Sequence, residues 1–291
     1  MGIGPDLLPE VCAPGALAGV VTEGVAEVTG LPAGCQVRLG MTDACASQLA
    51  AGASEPGQFV SVLGSTLVIK GVSRELVIDP AGAVYSHRHP DGWWMPGGAS
   101  STGALILTER FGRRDLGDLD QQAGRRGPAD AVTYPLVGRG ERFPFAVADA
   151  ESFWVIEPVD EIERYRAILE GVAFVERLGF ERLASLGAAC RPPVALAGGG
   201  SRSAVWNRIR ATVLGHPVIA KAAATTALGA CILAAAGTLH PDLSTATRSM
   251  SVVGEEIAPE HNDVREALDR NYQRLVAALD QRGWLSRDRS S

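Results

Sequence analysis

Apolar positions follow two rhythms along the chain. Early on they come in short blocks. CQVRLG reads as a short strand and GMTDACASQLAAG as a turn entering a helix. QFVSVLGSTLVIKGVS holds the blocks FVSVL and TLVIKGV, parted by Gly64, Ser65 and Thr66, which is the pattern of a β-hairpin. AVYSHRHPDGWWMPGGAS predicts a second strand pair, followed by glycine punctuation and a helix from about Thr102. Later the rhythm turns helical: Ile162, Tyr165, Ile168, Leu169, Val172 and Val175 fall on one face. PVALAGGG is a buried strand running into a turn, SAVWNRIRATVLG a helix closed by Gly215, HPVIAK a short strand and TTALGACILAAAG a small-residue helix that a neighbour can approach closely. A last helix, from about Glu260 to Arg282, turns Val264, Leu268, Leu275, Val276 and Leu279 inward. Residues 1–34 offer one helix, in TEGVAEVTG; SFWVIE suggests a strand, and residues 112–150 read as loop. Hairpins first and strand–helix units later predict an α/β domain whose mixed sheet is flanked by helices.

Gly198, Gly199 and Gly200 stand between a strand and a helix. Glycine loses more backbone entropy on ordering than other residues, so three in a row imply a close approach to that backbone. A Rossmann fingerprint needs a third glycine where Ser203 stands. A Walker A loop needs lysine followed by Ser or Thr, whereas Lys70 and Lys221 precede Gly71 and Ala222. A strand, a glycine turn and a helix N-terminus are left, with N–H groups and a positive dipole end for an anion or an adenine ring. A tight turn with no ligand has the same sequence. The hairpin residues Gly64, Ser65 and Thr66 offer N–H groups and two hydroxyls with little bulk, as phosphate oxygens require, and an ordinary Gly-Ser turn has that composition too. Asp43 follows a strand and opens a helix, which suits both an α/β active site and a helix N-cap.

Composition narrows the classes. The 291 residues, 46% hydrophobic and 21% charged, have ample material for a core. A net charge of −6 argues against nucleic acid as a partner. No charged-then-apolar leader opens the chain and no apolar run is long enough to span a bilayer, so the reading is cytoplasmic with no membrane partner. Cys12, Cys35, Cys45, Cys190 and Cys231 form no CxxC and are expected to be mostly buried free thiols.

Several residues invite a role and receive a plainer one. His87 and His89, two apart on an extended strand, share a face and would suit a metal with Asp91, but no third ligand is evident and a surface hairpin is expected. Trp93 and Trp94 are assigned to a core or domain interface, Arg125 and Arg126 to a solvated loop, and Glu141 with Arg142 to a structural ion pair. Cys45 has no nearby histidine and is read as a packing thiol.

In order along the chain, GMTDACASQLAAG, LGSTLVIK, GGASSTGALI, GERFP, LEGVAFVERLG, AGGGSRSAVW and ALGACILAAAG resemble the motifs of the FGGY carbohydrate kinase family, from about Leu8 to Gly237. VSVLGSTLVIK, VYSHR and GGASSTG are worded closest to its pentulose branch, the D-ribulose and D-xylulose kinase-like members. The resemblance implies an actin-like ATPase (ribonuclease H-like) fold, ATP and Mg²⁺ as cofactors, and phosphorylation of a ketopentose-type sugar. By matching motifs it implies Asp43 as the general base for the sugar hydroxyl. Gly64, Ser65, Thr66 and Gly103 would surround the phosphates, and Gly199, Gly200, Ser203 and Trp206 would frame the adenine. No side chain is implied as a metal ligand.

Departures from the family pattern shape the rest of the reading. The family's first domain opens with an Asp-x-Gly-Thr phosphate hairpin and carries most sugar contacts, and no such motif occurs here. Residues 1–38 are therefore expected to be the tail and linker of a truncated N-terminal sugar-binding domain, and residues 39–291 the C-terminal nucleotide-binding domain. The expected partners are the sugar, a separately encoded N-terminal half and a second copy of the chain; alone, the chain is expected to be inactive. A non-catalytic nucleotide-binding or interaction module is the alternative, and an NAD-type Rossmann enzyme is disfavoured by Ser203. Ser203 and Ser101 stand where asparagine is usual, and no acidic residue precedes ALGA, where Ala224, Thr225 and Thr226 stand.

Overall fold

A computed structural model describes residues 4, 7–112, 114–221 and 223–285. Its centre is a seven-stranded sheet in the order β11-β10-β9-β3-β4-β6-β5. β3 (Phe59–Leu63) and β4 (Leu67–Gly71) form the expected hairpin, with Leu63 opposite Leu67. β6 (Trp94–Ser100) pairs antiparallel with β4, and β5 (Tyr85–Arg88) closes that edge. On the other side of β3 the sheet turns parallel. β9 (Val194–Ala197) pairs with β3, and β10 (Val218–Ala220) with β9, before β11 (Glu255–Ile257) ends the sheet antiparallel. Connection length accounts for part of this mixture: a tight turn makes β3 and β4 antiparallel, while a helical crossover brings β10 back parallel to β9.

Helices cover both faces. One face carries the long α5 (Glu161–Ser185), α6 (Ala204–Leu214), α9 (Asn262–Gln281) and α4 (Leu116–Arg126). Their apolar sides meet in the largest core, which includes Leu63, Leu169, Val172, Trp206, Ile209, Leu268 and Leu275. The other face carries α2 (Asp43–Ala50), α7 (Thr226–Ala235) and α8 (Leu243–Met250), around Leu49, Ile232 and Leu243. α7 approaches α2 closely, as its small residues predict: a Cβ on Gly229 would lie 1.8 Å from the Ala46 carbonyl oxygen. β1 (Leu17–Val20), α1 (Glu23–Thr29) and β2 (Gln36–Arg38) stand apart from the main sheet. Among the described residues β1 pairs only with β2, and α1 buries no residue.

The structure corrects several expectations. Residues 112–150 are not all loop: they contain α4 and β7 (Val132–Tyr134), which pairs with β8 (Phe153–Ile156). α4 buries only Leu119 and Ala123, a stripe too thin to show as periodicity, and owes its start to Asp115, whose carboxylate caps the N–H groups of Gly117 and Asp118. Arg125 and Arg126 are thus the last turn of a helix, and Arg126 pairs with Asp160 at 2.5 Å. The helix expected from Thr102 is α3 (Leu105–Phe111), because residues 101–104 are taken up by packing on the β3–β4 turn. All five cysteines are free, but Cys12, Cys35 and Cys231 are exposed; only Cys45 is buried and Cys190 half-buried.

Candidate functional site

Parallel pairing of β3 with β9 puts Val62 opposite Ala197, so the two glycine turns that follow these strands emerge side by side. Packing alone demands glycine at two positions of the triple. Gly198 has φ +83°, and a Cβ there would lie 2.6 Å from the Leu63 carbonyl oxygen. A Cβ on Gly200 would lie 2.6 Å from the Leu63 side chain. Gly199 differs: its φ is not left-handed, it is exposed, and a Cβ there would meet nothing within 4 Å. In the hairpin, Gly64 likewise has only one neighbour, the Thr66 oxygen at 3.9 Å. Protein contacts thus explain Gly198 and Gly200, whereas Gly64 and Gly199 leave room for a ligand to approach the backbone.

Gly103 belongs beneath the hairpin. A Cβ there would lie 2.4 Å from both the Ser65 oxygen and the Thr66 Cα, so only glycine lets this segment seat against the turn. The seating is hydrogen-bonded: Ala104 N–H donates to the Gly64 oxygen, Leu105 N–H to the Ser65 oxygen and Leu67 N–H to the Thr102 oxygen. Glu141 organises the same segment. Its buried carboxylate accepts from Ser100 Oγ (2.8 Å), Ser101 N–H (2.6 Å), Thr102 Oγ1 (3.2 Å), Tyr134 Oη (2.6 Å) and its neighbour Arg142's backbone N–H (2.9 Å). The expected ion pair with Arg142 is therefore replaced by a hub of neutral donors. Its charge is satisfied without a cation because five donors converge on two oxygens.

Ser203 caps α6, accepting from the Trp206 N–H at 3.0 Å. Trp206 is buried, with its indole Nε1–H donated to the Leu169 oxygen at 2.9 Å, so its ring presents an apolar wall. Gly199, Gly200, Ser203 and Trp206 line one cavity of about 320 Å³ with Asp120 and Tyr165. A buried ion pair fixes α6 to α5, and a further bond ties it to the sheet: Arg210 reaches Glu176 through Nε at 2.7 Å and Nη2 at 2.8 Å, and Nη2 also donates to Ser61 Oγ on β3 at 2.9 Å. Sequence reasoning missed Glu176, Arg210 and Asp120, and gave Glu141 a structural role with the wrong partner. The charged residues in otherwise apolar helix stretches were the signal available for Glu176 and Arg210.

Asp43 is the first residue of α2, after the N-cap Thr42; it is exposed, and its Oδ1 accepts from the Ala44 N–H at 2.7 Å. The charge of Asp43 is felt at Lys70 on β4, whose pKa burial lowers while the charges of Cys45 and Asp43 partly restore it. Lys70, 1% exposed, donates to His87 Nδ1 at 2.9 Å and lies 4.6 Å above the Tyr85 ring. His87 titrates lower than usual, through burial and the neighbouring Lys70, which suits its acceptor role. His89 is not on the surface. It is buried, accepts the Asp91 N–H at Nδ1 (3.1 Å) and stacks on Trp93, with ring centroids 5.1 Å apart. Trp93 and Trp94 are half-buried, under the guanidinium groups of Arg74 and Arg88.

Residues 59–238 match the C-terminal domain of the FGGY family of carbohydrate kinases. An autoinducer-2 kinase from Klebsiella pneumoniae is 26% identical over 304 residues, covering 95% of this chain and 56% of that protein. Its counterpart in Escherichia coli K12 is 30% identical over 261 residues, covering 81% of this chain and 48% of that protein. Among solved structures, xylulose kinase from Rhodospirillum rubrum superposes with a TM-score of 0.82 at 29% identity, covering 96% of this chain and 58% of that one. The chain thus spans about half the length of the curated relatives it matches.

Proposed function

The chain belongs to the FGGY family of carbohydrate kinases, with the actin-like ATPase fold, and on that premise we propose that it is the ATP-binding half of a kinase for a ketopentose-type sugar. Gly199 carries this reading: it is a glycine that neither φ nor any protein neighbour requires, opening where a cavity meets a helix N-terminus. The adenine takes the cavity wall formed by Trp206, Gly199, Gly200 and Ser203, and the phosphates lie along the Gly64–Thr66 turn. This placement fits the space left free at both open glycines.

Asp43 is the general base. The sugar oxygen forms a bond to the γ-phosphorus, the bond from that phosphorus to the β–γ bridging oxygen breaks, and the hydroxyl proton passes to the Asp43 carboxylate. ADP and the sugar phosphate leave. Such transfer depends mainly on positioning and charge stabilisation, so an exposed aspartate can serve. Mg²⁺ would enter with the nucleotide and would supply charge neutralisation at the phosphates; among the described residues no group of three or more His, Cys, Asp or Glu could hold a metal ion. The sugar class rests on the pentulose wording of the hairpin motifs and on the Rhodospirillum rubrum xylulose kinase likeness.

Residues 1–38 are assigned to the tail of the N-terminal sugar-binding domain, and residues 39–291 to the nucleotide domain. Separation of β1 and β2 from the main sheet supports this boundary, as does exposure of Val11, Leu17, Val20 and Val28. No described helix is long and apolar enough to cross a membrane. The use of ATP makes the cytoplasm the proposed location.

The test is co-expression with an N-terminal half bearing an Asp-x-Gly-Thr hairpin, followed by an ATP-consumption screen over ketopentoses and polyols. The pair turns over a ketopentose and the chain alone does not. Asp43→Asn lowers turnover roughly 10²–10⁴-fold while ATP affinity holds. ATP binding without turnover in any pairing would identify a non-catalytic module. Turnover at ordinary rates by the chain alone would refute the need for a second half.

A further inference from the structure

The cavity beside Gly199 has a largely apolar body, with Asp120 and Arg202 as the charged residues of its lining. Trp206 has spent its indole N–H on Leu169, and Ser203 Oγ already receives the Trp206 N–H. Facing them, Asp120 on α4 accepts the Tyr165 hydroxyl proton through Oδ1 at 2.7 Å. Tyr165 itself is 1% exposed and packed edge-on against Phe111, with ring centroids 5.0 Å apart. Burial pushes its pKa up, with Asp120's hydrogen bond adding to it, so it stays protonated and keeps donating. Asp120 is half-buried, and its other oxygen, Oδ2, has no partner among the described residues. The carboxylate is therefore oriented by a rigid donor on a residue that lines the cavity, with one oxygen left to accept.

Resting on the nucleotide reading above, we infer that Asp120, aimed by Tyr165, selects the nucleobase by accepting a hydrogen bond from an exocyclic amino group. Adenine offers such a donor at its C6 amino group. Hypoxanthine has a carbonyl oxygen at the same carbon and would set a lone pair against a carboxylate that has no proton to give. A site built around a polar partner rejects an analogue lacking it far more strongly than an apolar pocket rejects a change of size. This supplies the discrimination that Ser203 does not, since its hydroxyl oxygen is committed to capping α6.

ATP and inosine triphosphate differ only along one base edge, in the C6 substituent and the proton that hypoxanthine carries on N1, so their affinities for the purified chain, measured by calorimetry with Mg²⁺ present, read this contact without any need for turnover. ATP binds at least tenfold tighter than inosine triphosphate. Asp120→Ala brings the ratio towards one, mainly by weakening ATP. Asp120→Asn, which keeps an acceptor oxygen, retains part of the preference. Tyr165→Phe lowers the ratio by freeing the carboxylate, and melting temperatures of all variants identify any that fail to fold. Equal affinities in the unaltered chain, or a ratio unmoved by Asp120→Ala in a folded variant, would overturn the base-reading role and leave nucleotide binding intact. Binding of neither nucleotide would overturn the nucleotide reading itself, and this inference with it.

Discussion

Gly198 touches Leu63 so closely that its missing Cβ would lie 2.6 Å from the Leu63 carbonyl oxygen. One leucine thereby forms the floor of both glycine turns, because Gly64 follows it in the chain and Gly198 and Gly200 rest upon it. The distance between the two turns is set by backbone against backbone and has little freedom to vary.

Gly198→Ala should therefore be costly. A side chain at φ +83° and ψ −179°, a region essentially limited to glycine, costs about 1–3 kcal/mol, and overpacking against an immobile carbonyl about 1–3 kcal/mol more. The expected outcome is a fall of several degrees in melting temperature, followed by calorimetry.

Gly199→Ala should separate binding from stability. Nothing lies within 4 Å of its Cβ position and its φ is unstrained, so stability should change by no more than about 1 kcal/mol. ATP affinity should nevertheless fall at least tenfold, which is about 1.4 kcal/mol. Thermal melting and nucleotide titration of the same sample make the comparison.

Glu141→Gln tests the support beneath the hairpin. An amide presents its own N–H group towards donors that now converge on carboxylate oxygens, so at least one charge-assisted bond is lost and one donor is misplaced. A loss of about 2–4 kcal/mol is expected. Because residues 102–105 anchor the Gly64–Thr66 turn, nucleotide affinity should weaken as well, unlike a loss of stability elsewhere.

Glu170 predicts a pH dependence of stability. Burial raises its carboxyl from 4.5 to about 7, outweighing the Arg166 guanidinium at 2.5 Å and the Ala129 N–H. Between those two values the folded state holds a proton that the unfolded chain has released. This contribution is full below 4.5 and is lost as pH rises through 7, so stability falls across that window. Melting temperature followed from pH 5 to 8 should decline more steeply in the unaltered chain than in Glu170→Gln, although the variant is less stable throughout.

Much of the candidate site could be read from residue order, since turns and helix starts announce themselves locally. Gly64, Ser65 and Thr66 interrupt two apolar blocks, and the three glycines before Ser203 mark where a strand gives way to a helix. α4 was invisible because two buried residues make too weak a stripe, and its capping aspartate sits in a charged stretch. His89 read as surface because a histidine's burial depends on what folds over it, here the Trp93 ring.

Chain order determined the elements, the family and the two glycine turns, because φ preferences and apolar spacing act within a few residues. Long-range pairing decided the rest. Residues 63 and 198 become neighbours only when β9 lies alongside β3, and Ser61, Glu176 and Arg210 become one clamp only when α5 and α6 pack on the sheet. The same holds for Asp120, whose orientation comes from a tyrosine 45 residues away. Hydrogen bonds and steric contacts of this kind depend on position in space, and no local pattern encodes which distant partner will arrive.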